Sequence, residues 1–164
     1  MQDPIDRRQQ IESFGQANSR LEAALRGFPR EMWTYRPDDQ DWTIHEIILH
    51  IADSEANGYI RARRLIAEPG SDVFGYDEAE WARRLNYHAQ DPDGALALFR
   101  LLRRMTYELI RALPESAWSN TVVHSDSGRL SLDDWLDTYE RHIPVHIAQM
   151  RAIYETWRLE MDEA

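Results

Sequence analysis

The sequence predicts an all-α protein, a four-helix bundle formed by one domain over residues 1–164. Three observations lead there. Apolar residues recur at spacings of three and four in four separate stretches. Helix start and stop signals bracket those stretches, and no part of the chain reads convincingly as sheet. Hydrophobic residues make up 43% and charged residues 29%, the balance of an ordinary globular chain with enough length for a good core.

The first helix is expected over about 6–26, with Ile11, Phe14, Asn18, Leu21, Leu25 and Phe28 along its stripe and Gly27 and Pro29 at its end. A capping box, Thr43 with Glu46, opens the second. Its first turns carry Ile44, Ile47, Ile48, Leu49 and Ile51, apolar nearly all round, and Glu68-Pro69-Gly70 stops it. The stretch 67–91 is a long excursion with a short helix near 77–85. A connection of that length is expected to cross the body or cover a site. Asp91-Pro92 starts the third helix, whose expected core stripe is Ala95, Leu98, Leu102, Met105, Leu109 and Ala112. Residues 115–130 read as a loop or ribbon. Ser131 with Asp134 caps the last helix, expected to run to about 158 before a frayed acidic tail. Pro144 cannot donate to the carbonyl of Glu140, so that helix should bend or loosen there. If the long connection crosses the bundle, the second and third helices are parallel and the order is up-down-down-up.

Charge and composition exclude several functions. A net charge of −10 argues against nucleic acid, which rewards a basic surface. All 19 basic residues are arginine. The pairs Arg63-Arg64, Arg83-Arg84 and Arg103-Arg104 read as solvated helix faces. Without lysine or cysteine, the protein can supply neither a Schiff base nor a thiolate nucleophile. Apolar runs are too short for a membrane span, and the N-terminus lacks the pattern of a signal peptide. With no cysteine for disulfides, a cytoplasmic location is expected.

What remains is imidazole, carboxylate and hydroxyl chemistry. His142 and His146 stand one turn apart on the inward face of the last helix, a face marked by Leu132, Trp135, Leu136, Tyr139, Ile143, Ile147, Met150 and Tyr154. His50 lies in the most hydrophobic part of the second helix. Either these three imidazoles share a metal, as three histidines with one open position hold catalytic zinc, or each is a core histidine bonded to a carbonyl or carboxylate. Asp53, one turn beyond His50, is a candidate proton carrier. Asp137 and Glu140 are candidates to orient the last-helix imidazoles, against the simpler reading of solvated carboxylates. His45, His88 and His124 read as surface or loop residues, His124 being placed where a loop could fold over a metal.

The segments 42–55 (WTIHEIILHIADSE) and 142–150 (HIPVHIAQM) resemble the DinB-like superfamily and its YfiT-type metal-dependent hydrolases, and segment order and length match over nearly the whole chain. The resemblance implies an up-down-down-up bundle, a divalent metal (zinc or nickel) at His50, His142 and His146, and a homodimer. It also implies either hydrolysis or the use of a low-molecular-weight thiol as co-substrate, as in thiol transferases and thiol-dependent isomerases. Arg61 and Arg141 are candidates to hold such a thiol's anionic groups. The substrate does not transfer with the resemblance. The competing expectation is a non-catalytic binding module whose histidines fill the core or hold a structural metal. A closed site with a fourth protein ligand would select it, and an open position beside a cavity would count against it.

Overall fold

The helices begin where their caps demand. Thr43 accepts from the Glu46 amide at 3.1 Å while the Thr43 amide donates to the Glu46 carboxylate at 2.9 Å. Asp91 accepts from the amides of Asp93 and Gly94, and Ser131 and Asp134 cap each other reciprocally. Each satisfies amides that a helix start leaves without partners. In this computed structural model, residues 4–39 and 41–163 are described. They form α1 (Pro4–Gly15), α2 (Ala17–Leu25), α3 (Ile44–Ala67), β1 (Asp72–Val73), α4 (Glu78–Arg84), α5 (Pro92–Ile110), β2 (Thr121–His124), β3 (Gly128–Ser131) and α6 (Leu132–Glu163). The expected first helix is interrupted at Gln16. Beside the break Gly15 lies against Tyr107, whose ring a Cβ would approach to 2.6 Å. α1–α2, α3, α5 and α6 are the four rods of the bundle. Among the described residues no helix is long and apolar enough to cross a membrane.

Side-chain pairs give the direction of each rod. Arg7, Gln10 and Ser13 of α1 bond Asp133, Asp137 and Glu140 of α6 in the same order, so these two run parallel. His45 reaches Gln90 just before α5, and Glu55 meets Arg103, so α3 and α5 are also parallel. His50 meets His142 while Gly58 meets Trp135, which makes α3 and α6 antiparallel. The order is up-down-down-up, as expected from the long connection. The stretch 115–130, expected as a loop or ribbon, contains a ribbon, and the small sheet built on it was not expected. β2 and β3 form an antiparallel hairpin, and β1 from the long connection adds to β2 in parallel. These strands are two to four residues long, too short for alternation to announce them.

Three other expectations fail. The core stripe of α5 is Ala95, Phe99, Arg103, Thr106 and Ile110, whereas Leu98 and Met105 of the expected stripe are exposed. Arg103, read from the sequence as solvated, is 1% exposed. Its guanidinium forks onto Glu55 of α3 at 2.9 and 2.6 Å and donates to the carbonyls of Phe14 in α1, at 3.4 Å, and Tyr139 in α6, at 3.1 Å. One side chain of α5 therefore touches the other three rods. Burial pushes the Glu55 carboxyl up, and Arg103 pulls it back down. The tail expected to fray beyond 158 instead continues α6 to Glu163, and α6 also runs through Pro144, which faces solvent.

α3 and α6 approach closely at Gly58. The indole of Trp135 donates to the Gly58 carbonyl at 3.1 Å, and a Cβ on Gly58 would lie 2.4 Å from the Tyr139 ring. We expect Gly58→Ala to destabilise by roughly 1–3 kcal/mol in urea unfolding, because overpacking there outweighs the gain of about 1 kcal/mol from removing a helical glycine. A more stable Gly58→Ala would contradict this packing. Arg103→Met, which strands a buried carboxylate, should cost about 3–5 kcal/mol. The double variant Arg103→Met, Glu55→Leu should recover much of that loss; equal losses in both would deny the pairing.

Candidate metal centre

The centre is built where α3 is most hydrophobic. The capping box fixes the register of the first turns, and burial of Ile44, Ile47, Ile48 and Ile51 turns His50 toward α6 at 1% exposure. Trp42 packs its ring over that imidazole with centroids 4.9 Å apart. On α6, burial of Tyr139, Ile143, Ile147 and Met150 aims His142 and His146 at the same point. His142 Nε2 lies 3.2 Å from His50 Nε2 and 3.1 Å from His146 Nε2. One nitrogen from each ring lies within 4.8 Å of the others. Two ligands of one tetrahedral ion, each about 2.05 Å from it, are about 3.3 Å apart. The spacing of the nitrogens is close to that edge.

Their protonation also suits ligation. Burial, with the neighbouring His146 adding to it, lowers His50 to about 3. Burial, then the two other imidazoles, lowers His142 to about 2, and burial lowers His146 too. All three rings are thus neutral at neutral pH, the form that binds metal. His146 Nδ1 lies 2.9 Å from Gln149 Oε1. If Nδ1–H donates there, the tautomer assigned from that contact leaves Nε2 with its lone pair facing inward. His142 Nε2 then faces two nitrogens with one proton or none to offer, so hydrogen bonding cannot make two good contacts from it. His50 Nδ1 and His142 Nδ1 are buried with no hydrogen-bond partner as well. A cation accepting three lone pairs resolves the convergence that hydrogen bonds leave strained.

The carboxylates expected to orient these rings are occupied elsewhere. Glu140 accepts from Ser13, and Asp137 pairs with Arg141 at 2.7 Å. That pairing keeps Arg141 on the exposed side of α6, apart from the residues that line the cavity around Arg61. Asp53, one turn after His50 on α3, accepts from the Tyr87 hydroxyl at 2.5 Å. Arg61 donates to the Tyr139 hydroxyl at 3.1 Å and to the Phe74 carbonyl at 2.7 Å. Asp53 and Arg61 share a cavity of about 420 Å³ with Asn57, Arg64, Phe74 and Trp81. His45 bonds the Gln90 carbonyl, His88 is exposed, and His124 accepts from the Asp126 amide in the hairpin.

Two neighbours of the centre escaped the sequence reading. Gln149 stands three residues after His146, a spacing that puts both on one helix face, so the motif itself held the clue. Glu78 comes from the long connection, and its Oε2 lies 3.9 Å from His50 Nε2. Burial pushes its carboxyl up, with Arg61 opposing. Nothing local marks Glu78; only the expectation that a long connection covers a site pointed to its segment.

Comparison with known proteins agrees with this architecture. The chain is 31% identical over 113 residues to a Bacillus subtilis protein named "Putative metal-dependent hydrolase YfiT", an alignment covering 68% of this chain and 64% of the relative. A similarly named protein of Oceanobacillus iheyensis is 31% identical over 112 residues with the same coverage. The matched region thus spans a little under two thirds of those relatives. The structure of Bacillus subtilis YfiT, described as having an unusual four-helix bundle topology, superposes with a TM-score of 0.85 at 25% identity, over 93% of this chain and 88% of that one. A mycothiol-dependent maleylpyruvate isomerase shares the fold at a TM-score of 0.70 and 14% identity, over 87% of this chain and 60% of the isomerase. The family model for the DinB superfamily matches residues 13–150, and the chain belongs to that superfamily.

Proposed function

We propose that the chain is a divalent-metal enzyme in which His50, His142 and His146 hold the ion through Nε2, leaving one position open to a water or a low-molecular-weight thiol. The observation that carries this reading is the convergence of the three imidazoles, with His142 Nε2 lying 3.2 Å from His50 Nε2 and 3.1 Å from His146 Nε2. When bound, such an ion lowers the pKa of water or of a thiol toward neutrality. The residues of the chain supply the rest. Apolar burial keeps the imidazoles neutral, Gln149 holds the His146 ring, and Trp42 walls off His50. Lacking cysteine, the protein would take any thiolate nucleophile from the bound molecule. Zinc and nickel are the metals in view, since imidazole suits both.

Hydrolysis and thiol transfer share this centre and differ in the second reactant. The names of the relatives support hydrolysis, although Asp53, the expected proton carrier, is engaged by the Tyr87 hydroxyl. Arg61 supports the thiol branch. It donates to the neutral oxygens of Tyr139 and Phe74, and its charge reaches Glu78, which makes it a cation placed to meet an anionic co-substrate. A structural metal in a non-catalytic module would need a fourth protein ligand. Among the described residues the compact donor set contains three histidines and no other group.

Element-resolved metal analysis tests the reading. The purified parent should carry close to one zinc or nickel per chain, and His142→Ala, His146→Ala should lose it while staying folded by circular dichroism. A parent that neither carries nor takes up either metal contradicts it. The low values of His50 and His142 give a second test. Above pH ~6.5 both folded and unfolded rings are neutral; below it the unfolded chain binds protons that the buried rings refuse. Chelator-treated protein should therefore lose stability from pH 7 to pH 5, by roughly 1 kcal/mol per pH unit for each ring. Urea unfolding at the two pH values measures it, and unchanged stability would contradict the burial of neutral imidazoles.

A further inference from the structure

Glu78 reaches the histidines from a segment that supplies none of them. It opens α4, which Asp77 caps through the Glu80 amide at 2.8 Å. Contacts on either side pin the segment against the bundle. The Phe74 carbonyl takes a bond from Arg61, the Tyr76 ring packs on Trp81 with centroids 4.4 Å apart, and Tyr87 bonds Asp53. Glu78 itself keeps its side chain 54% exposed, with Oε2 3.9 Å from His50 Nε2.

Distance decides what the carboxylate can do. Ligands of one tetrahedral ion sit about 3.3 Å apart, and the imidazole nitrogens come near that spacing. Glu78 lies outside the group of donor atoms found within 4.8 Å of one another, and its 3.9 Å to His50 exceeds the ligand spacing. It is placed one hydrogen bond further out, where a carboxylate meets a molecule about 2.1 Å from the ion across a further ~2.7 Å. The neighbouring carboxylates are committed: Asp53 to Tyr87, Glu46 to Arg36 and Thr43, and Glu55 to Arg103.

We propose that Glu78 is a catalytic residue of this centre, accepting a hydrogen bond from the molecule bound at the open position. It thereby selects ligands that present a proton there, such as water, a thiol or an amine, over anions that present none. The inference rests on the metal reading above and adds the residue that discriminates among ligands.

The test uses the full chain loaded with cobalt(II), whose visible spectrum reports the coordination sphere, titrated with azide as an anion without a proton to donate. Removing a charge a few ångströms from the open position, in Glu78→Gln, should tighten azide binding roughly tenfold. Cobalt affinity should stay within about threefold of the parent, because a group outside the ligand set contributes little to it. Glu80→Gln removes the same charge from the same helix and should leave azide binding near the parental value. Equal azide affinity in Glu78→Gln and the parent overturns the proposal. So does an equal gain in Glu80→Gln, which would make the effect one of net charge. A loss of cobalt affinity in Glu78→Gln of about a hundredfold would make Glu78 a ligand, and also overturns it. Failure of the metal reading is seen separately, in a parent that takes up no cobalt before any variant is compared.

Discussion

Arg103 is the constraint on which the rest of the bundle depends. From α5 its fork binds Glu55 of α3 and its remaining donors reach carbonyls of Phe14 and Tyr139, so all four rods meet at one guanidinium. A lysine offers three donors from a point charge and cannot satisfy this arrangement; the planar five-donor fork can. The energetic return of burying such a pair is small, because desolvating both charges nearly cancels their attraction. What the pair supplies is register. Glu55 is five residues from His50 on α3, and Tyr139 is three from His142 on α6. Fixing Glu55 and the Tyr139 carbonyl to one side chain therefore fixes where His50 stands relative to the α6 pair. The close approach at Gly58 holds the same two helices from the next turn.

Within that frame the centre follows from burial. Three imidazoles placed among isoleucines and a tryptophan lose the water that would let them protonate, and their lone pairs converge without protons to separate them. The chain adds little reactive chemistry of its own around them. The long connection between α3 and α5 brings Glu78 within 3.9 Å of His50, Tyr87 onto Asp53, and Trp81 to the cavity lined by Asp53 and Arg61. This is a division of labour common in folded proteins: rigid helices hold the ligating groups, and an irregular segment brings the groups that meet the substrate.

Features written in local patterns were legible in the sequence. The three caps at Thr43, Asp91 and Ser131 sit where expected, because a cap needs only residues a few positions apart. The His142–His146 pair could be read for the same reason, and His50 stood out as a polar residue in an apolar run. The α5 face was misread because its core carries Arg103 and Thr106, while Leu98, Leu101 and Met105 face outward; an apolar count favours the wrong stripe when the buried stripe holds an ion pair. The role of Arg103 depends on Glu55, forty-eight residues away, and no local rule connects them. Glu78 and the pairing of β1 with β2 escaped for a similar reason, since both are made by long-range contacts of the connecting segment. Gln149 is the exception, a partner at helical spacing that could have been read and was not.

X-ray absorption at the metal edge of the loaded protein tests the central claim most directly. Three imidazole nitrogens at about 2.0–2.1 Å and one further light-atom position filled by solvent are expected. A first shell with fewer than three imidazoles, or one closed by a fourth protein ligand, would contradict it.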